Sequence, residues 1–149
     1  MVKGGCWGYA AGKGITGRKR HLLVDTLGLW LVVYIQPASE QDRCGAVAVL
    51  AEAGRRHRQL QRVWADGDYS GPLAASAAPT GCQVLLVAKP PGQQRFAVLL
   101  RRWVIERTFP CLSRYHRLGT RDWEHTAHSS RARVLIAMIH LMGRRLHRT

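Results

Sequence analysis

Two apolar, β-favouring runs stand early in the chain, Leu22-Leu23-Val24-Asp25-Thr26 and Leu29-Trp30-Leu31-Val32-Val33-Tyr34-Ile35, separated by Leu27-Gly28. Runs of this composition on either side of a short glycine turn predict a β-hairpin. Neither alternates cleanly between apolar and polar, so the strands are expected to be covered on both faces. Upstream, residues 1–17 hold six glycines and no hydrophobic period, the pattern of an irregular lead-in. Downstream, Ser39 is placed to cap a helix, with Glu40 and Asp42 in a first turn where carboxylates suit the helix dipole. Ala46, Val47, Val49, Leu50 and Ala53 supply its stripe and Gly54 its end. A short strand over 60–65 then runs into Asp66-Gly67-Asp68-Tyr69. Gly71-Pro72 opens a small alanine-rich helix to Ala78, and Gly81 precedes a further strand over 82–88. Lys89-Pro90-Pro91-Gly92 is a loop by composition. The remainder predicts two helices. One covers 96–112, with Leu99, Leu100, Trp103, Val104 and Phe109 apolar and a disturbance at Pro110. The other begins near Thr126, where Leu135, Met138, Ile139, Met142 and Leu146 recur at three and four residues.

An antiparallel pair followed by alternating helices and strands predicts an α/β fold, a mixed sheet with helices on its faces. Neither a repeat nor an interdomain linker divides the chain, so residues 1–149 form one domain. Hydrophobic residues make up 46% of it, too many for a disordered basic tail. Charge changes the picture more than any other total. Twenty-three Lys and Arg face nine Asp and Glu, a formal +14, and such an excess on a folded domain calls for a polyanionic counterpart. Nucleic acid comes first among these, an anionic membrane second. Cys6, Cys44, Cys82 and Cys111 are scattered without a CxxC or Cys/His cluster, which argues against structural zinc and for buried, reduced thiols. The N-terminus has no secretory apolar core and no stretch approaches the ~20 apolar residues of a membrane span, so a cytoplasmic protein is expected.

In so basic a chain each carboxylate is worth locating. Asp66 ends the apolar strand Val63-Trp64-Ala65 and is followed by Gly67, where the chain leaves the sheet. Glu106 lies mid-helix among Arg101, Arg102 and Arg107. Two-metal phosphoryl transfer uses such groups: Mg2+ takes oxygen ligands and retains water, so two or three carboxylates from different elements suffice. Arginines nearby hold phosphates without binding the metal. The bland alternatives are an Asp-Gly turn at Asp66 and a helix-face ion pair at Glu106. Asp25 reads as a turn residue at a strand end, Glu40, Asp42 and Glu52 as capping or surface charges, and Asp122 and Glu124 as part of a loop or helix start. Arg18-Lys19-Arg20 reads either as a solvated loop or as a phosphate contact, and Trp103 as core rather than a base-stacking platform.

Several stretches, in order, resemble insertion-sequence DDE transposases. They are Gly8-Tyr9-Ala10-Ala11-Gly12-Lys13, the run from Gly17 to Gly28, Pro37-Ala38 to Asp42-Arg43, Trp64-Ala65-Asp66-Gly67-Asp68-Tyr69-Ser70-Gly71, and Arg101 to Phe109 with Arg114-Tyr115. The likeness spans nearly the whole chain. It implies a ribonuclease H-like sheet and DNA transposition, with Mg2+ or Mn2+ held by an Asp-Asp-Glu triad. By matching motif, Asp66 corresponds to the second acid of that triad and Glu106 to the third, making both catalytic metal ligands. Arg102 matches the Arg four positions before that Glu. Arg114 falls one position later than the family's downstream basic residue, and Leu99 stands where a Tyr is often found. Arg107, Lys19 and Arg20 join Arg102 and Arg114 as candidate nucleic-acid contacts. The implied partner is DNA, both transposon ends and target, with a homodimer as a further option and no membrane.

The family's first Asp lies on an opening strand upstream of these motifs, and residues 1–7 contain no carboxylate. The resemblance therefore implies a partial domain whose first strand is missing, with little activity of its own. The rival reading is a non-catalytic basic nucleic-acid-binding remnant, indifferent to divalent metal; a third is a structural RNA-binding protein.

Overall fold

The computed structural model describes residues 6–66, 69, 81–87, 100–119 and 122–147. In chain order the elements are β1 (Gly8–Ala10), β2 (Ile15–Val24), β3 (Trp30–Pro37), α1 (Asp42–Arg56), β4 (Arg62–Asp66), β5 (Gln83–Val87), α2 (Leu100–Ser113), the single turn α3 (His116–Gly119) and α4 (Ala127–Leu146). The mixed α/β class expected from the sequence is what the chain adopts. The alanine-rich helix expected from Gly71 and the loop at 89–92 lie outside the described residues.

The predicted hairpin is present, and longer than its apolar runs. β2 pairs antiparallel with β3 from Arg18 opposite Pro37 to Val24 opposite Trp30, with an irregularity between Leu23 and Val24. Arg18, Lys19 and Arg20 thus belong to a strand rather than a solvated loop. The glycine-rich lead-in is also more ordered than expected: β1 lies antiparallel against Ile15–Gly17, on the opposite edge of β2 from β3. At the β2–β3 turn, Asp25 Oδ1 accepts the backbone N–H groups of Leu27 and Leu29 at 2.9 and 2.8 Å, and Gly28 takes φ +79°, a left-handed angle that side chains disfavour.

Covering on both faces follows from the side chains. Val32, with Leu23 and Tyr34, packs under α1 against Val49 and Ala53. Val33 and Ile35, with Leu22 and Val24, pack on the other face against Leu112, Leu118, Val134, Ala137 and Met138. The hairpin is therefore the middle layer of three, with α1 on one side and α2 to α4 on the other. Each of these large side chains taken fully out of water contributes about 1.5–3 kcal/mol. β4 and β5 form a separate parallel pair, Arg62 opposite Gln83 through Asp66 opposite Val87. Val63 and Cys82 anchor that pair beneath α1, against Ala46 and Leu50.

Helix boundaries and faces depart from the sequence reading in instructive ways. α1 is preceded by Gln41, not Ser39, in the cap position and continues past Gly54 to Arg56. Thr126 caps α4, its hydroxyl accepting the Ser129 N–H at 3.1 Å. The buried stripe of α4 is Ser130, Val134, Ala137 and Met138, whereas Ile139 is 61% exposed and Leu146 fully on the outside. On α2 the inward positions are Thr108 and Leu112, and Trp103 is 43% exposed, not core. Thr108 can be inside because its hydroxyl donates to the Val104 carbonyl at 2.8 Å. Of the cysteines, all free, Cys82 is buried and Cys111 half-buried, but Cys6 and Cys44 are exposed.

Candidate functional site

β4 presents Val63 and Ala65 to the α1 side, so the pleat turns Trp64 and Asp66 the other way, toward α2. Asp66 stands at the last position of that strand, paired with Val87 of β5. Glu106 lies in the middle of α2, and its neighbours one position before and three after, Ile105 and Phe109, face β4. The result is a cavity of about 200 Å³ whose wall includes both Asp66 and Glu106, together with Trp64, Val87, Ile105 and Phe109. Two carboxylates forty positions apart in the chain thus open onto one space, in surroundings that are otherwise apolar. Both are engaged in interactions of their own.

A second, larger cavity of about 500 Å³ adjoins β4 on the side toward β2 and also reaches Asp66, as well as Asp25 and Asp42. On its α1 side sits His21, 6% exposed, with Nδ1 3.2 Å from the Tyr69 hydroxyl. Burial pushes His21 below its ordinary value of 6.5; Asp42 opposes the shift and Lys19 adds to it. Gly45 is what lets the ring fit, because a side chain there would collide with His21 and come within 2.7 Å of Gln36 Oε1.

The amino-acid sequence from residue 2 to residue 142 matches the family model described as the transposase DDE domain. The chain belongs to that family. Neither a search of curated proteins nor one of solved structures finds a match. In this transposase DDE domain the basic residues singled out from the sequence divide by what they touch. Lys19 Nζ bonds the Glu40 carbonyl at 2.6 Å and pairs with Asp42 at 2.9 Å, and Arg20 donates to the Leu118 carbonyl at 2.8 Å. Arg107 stacks on Trp103, 4.6 Å from the ring centroid, and donates to the Leu27 carbonyl at 3.0 Å. Arg145 donates to the same carbonyl at 2.8 Å, so two guanidiniums from α2 and α4 meet over the β2–β3 turn. Arg114 is exposed just beyond α2. The Arg102 side chain lies outside the described residues.

Arg18, by contrast, is structural. It pairs with Asp122 at 3.1 Å with 0% and 7% of the two side chains exposed, and donates at 2.8 Å to each of the Glu124 and His125 carbonyls. Ser130 donates to the same Asp122 at 2.8 Å. Asp122 lies in the loop expected before α4 and acts there as an internal counter-ion. Glu124 and Glu52 each gather further arginines, Arg117 and Arg133 around the first, Arg55, Arg56 and Arg131 around the second. Among the described residues no group of three or more His, Cys, Asp or Glu could hold a metal ion, and no helix is long and apolar enough to cross a membrane.

Proposed function

We propose that this chain is the phosphodiester-cleaving and strand-transferring part of a DNA transposase, on a ribonuclease H-like sheet, with Asp66 and Glu106 as its metal ligands. The observation that carries the reading is their shared cavity, which opens at the end of a strand and against a helix. The donor chemistry fits a hard divalent cation. Both groups are carboxylates, they come from different elements, and Mg2+ or Mn2+ accepts oxygen ligands while keeping several waters. A bound cation would supply activation of water, then of a DNA 3'-hydroxyl, for in-line attack on phosphodiesters. Asp66 and Glu106 line the cavity together, and Trp64, Ile105 and Phe109 supply the apolar part of its wall. Arg107 and Arg114, with Arg102, hold the DNA phosphates beside the carboxylates, and Lys19 and Arg20 act chiefly through the positive field of the hairpin.

The test is duplex-DNA affinity at constant ionic strength, with and without Mn2+. The expected result is metal-dependent tightening of several-fold that disappears in Asp66→Asn and in Glu106→Gln, while metal-free binding stays unchanged. Affinity indifferent to the metal and to both substitutions would instead establish the non-catalytic binder.

A further inference from the structure

α4 buries one line of residues, with Val134, Ala137 and Met138 packed on Val33 and Ile35 of β3. A second apolar line runs along its outer side. It consists of Ala132, Ile136, Ile139 and Gly143, spaced four, three and four residues apart and all exposed, the two isoleucines by 60% and 61%. Alternating steps of four and three keep residues on one seam of a helix, and a narrow seam of this kind is the surface on which a second helix packs. Gly143 is a separate observation. It lies inside α4, where glycine costs about 1 kcal/mol relative to alanine. Among the described residues a side chain there would meet nothing within 4 Å, so packing inside the chain does not call for its bareness. Close approach of a helix from outside does.

The seam is its own complement. Turned about a two-fold axis midway between Ile136 and Ile139, α4 runs antiparallel to itself, with Ile136 opposite Ile139 of the second copy and Ala132 opposite Gly143. Bulk meets bulk at the centre and the smallest residues face each other at both ends, so the two helices can close on each other. The flanks agree with this. Leu135 and Met142, both half-buried, come opposite each other on one side and widen the apolar strip. On the other side Arg133 comes opposite His140, and the Arg133 charge is already met by Glu124 at 3.2 Å. We propose that α4 pairs antiparallel with α4 of a second copy of this chain, through Ala132, Ile136, Ile139 and Gly143. Two copies each carrying +14 repel at long range, so salt that screens this repulsion tightens the pair. The inference is independent of any metal at Asp66 and Glu106.

Sedimentation equilibrium of the full chain, freed of nucleic acid, reads the association. A monomer–dimer equilibrium that tightens as salt rises is expected. Ile136→Glu and Ile139→Lys should each weaken it by about a hundredfold, because each change enters the two-fold interface twice. Circular dichroism and Tm should stay those of the parent, since both positions are exposed. Mixing the two variants should restore dimers, because the new carboxylate and ammonium then face each other across the axis, which a parallel pair does not allow. Gly143→Leu should loosen the dimer while leaving the monomer folded. A chain that stays monomeric at every concentration and salt would overturn the proposal and leave this face to a different partner. Dimers that both charged substitutions leave intact, or a mixture that stays monomeric, would overturn it as well.

Discussion

Arg18 and Asp122 are 104 positions apart, and their pairing decides whether the segment before α4 stays on the sheet. Removing the carboxylate would leave a guanidinium with no exposed surface without its counter-charge, a mechanism that costs about 3–5 kcal/mol. Asp122→Ala is therefore expected to lower stability by that amount in urea unfolding, while Glu40→Ala, at an exposed residue, stays within about 0.5 kcal/mol. His21 carries a pH dependence. Its folded value is depressed by burial, so below 6.5 the unfolded chain takes up a proton that the folded one refuses. Stability from this residue is complete above 6.5 and is lost as pH falls from there toward the depressed value. Thermal unfolding across pH 5–8 should show this slope, flattened in His21→Gln; an equal slope in the variant would assign it to other groups. None of this could be read from the sequence, because a charge reveals its partner only after folding has chosen the neighbours.

At the scale of elements, the hairpin, α1, β4, β5 and both long helices were legible, the helices from a recognisable apolar period and the strands from β-favouring apolar runs bounded by turn chemistry. What escaped was orientation. Leu135, Met138, Ile139, Met142 and Leu146 make a plausible stripe, and Met138 is buried, but the helix turns Val134 and Ala137 inward beside it and leaves Ile139 and Leu146 exposed. Trp103 was misplaced by one position relative to the inward line of Val104, Thr108 and Leu112, and a threonine inside that line gives no hydrophobic signal. α3 is a single turn, too short to show a period. Close approach explains α1, where Gly45 sits against His21 and Gln36. Gly45→Ala should cost about 1–3 kcal/mol through the shift it forces, with the α1 end of the hairpin losing exchange protection first. Unchanged stability would mean that His21 has room to move aside.

Across the whole molecule, the excess of fourteen positive charges is the property that the internal pairs leave largely uncompensated. Nine carboxylates serve twenty-three Lys and Arg, and Asp122, Glu124 and Glu52 are already spent on internal or local partners. Duplex-DNA affinity should therefore fall steeply with salt, its logarithmic slope becoming shallower by about 1 in Arg114→Ala, the loss of one phosphate contact. A slope that Arg114→Ala leaves untouched would remove Arg114 from the DNA surface. Of the candidate site, position alone drew attention to Asp66 and Glu106 but left each equally readable as a turn or a helix-face ion pair, and only the family resemblance singled them out as metal ligands. The pairing of Arg107 with Arg145 was not legible, since it depends on where α4 crosses the β2–β3 turn.

In the function proposed, the Asp66 and Glu106 carboxylates hold one divalent cation between them. Paramagnetic broadening of backbone amide signals on titration with Mn2+ tests it most directly. A shared ion gives broadening centred together on 64–66 and 104–107, abolished by either Asp66→Asn or Glu106→Gln, with the double substitution adding nothing. Broadening that surrounds only one of the two, or that survives both substitutions, would contradict it.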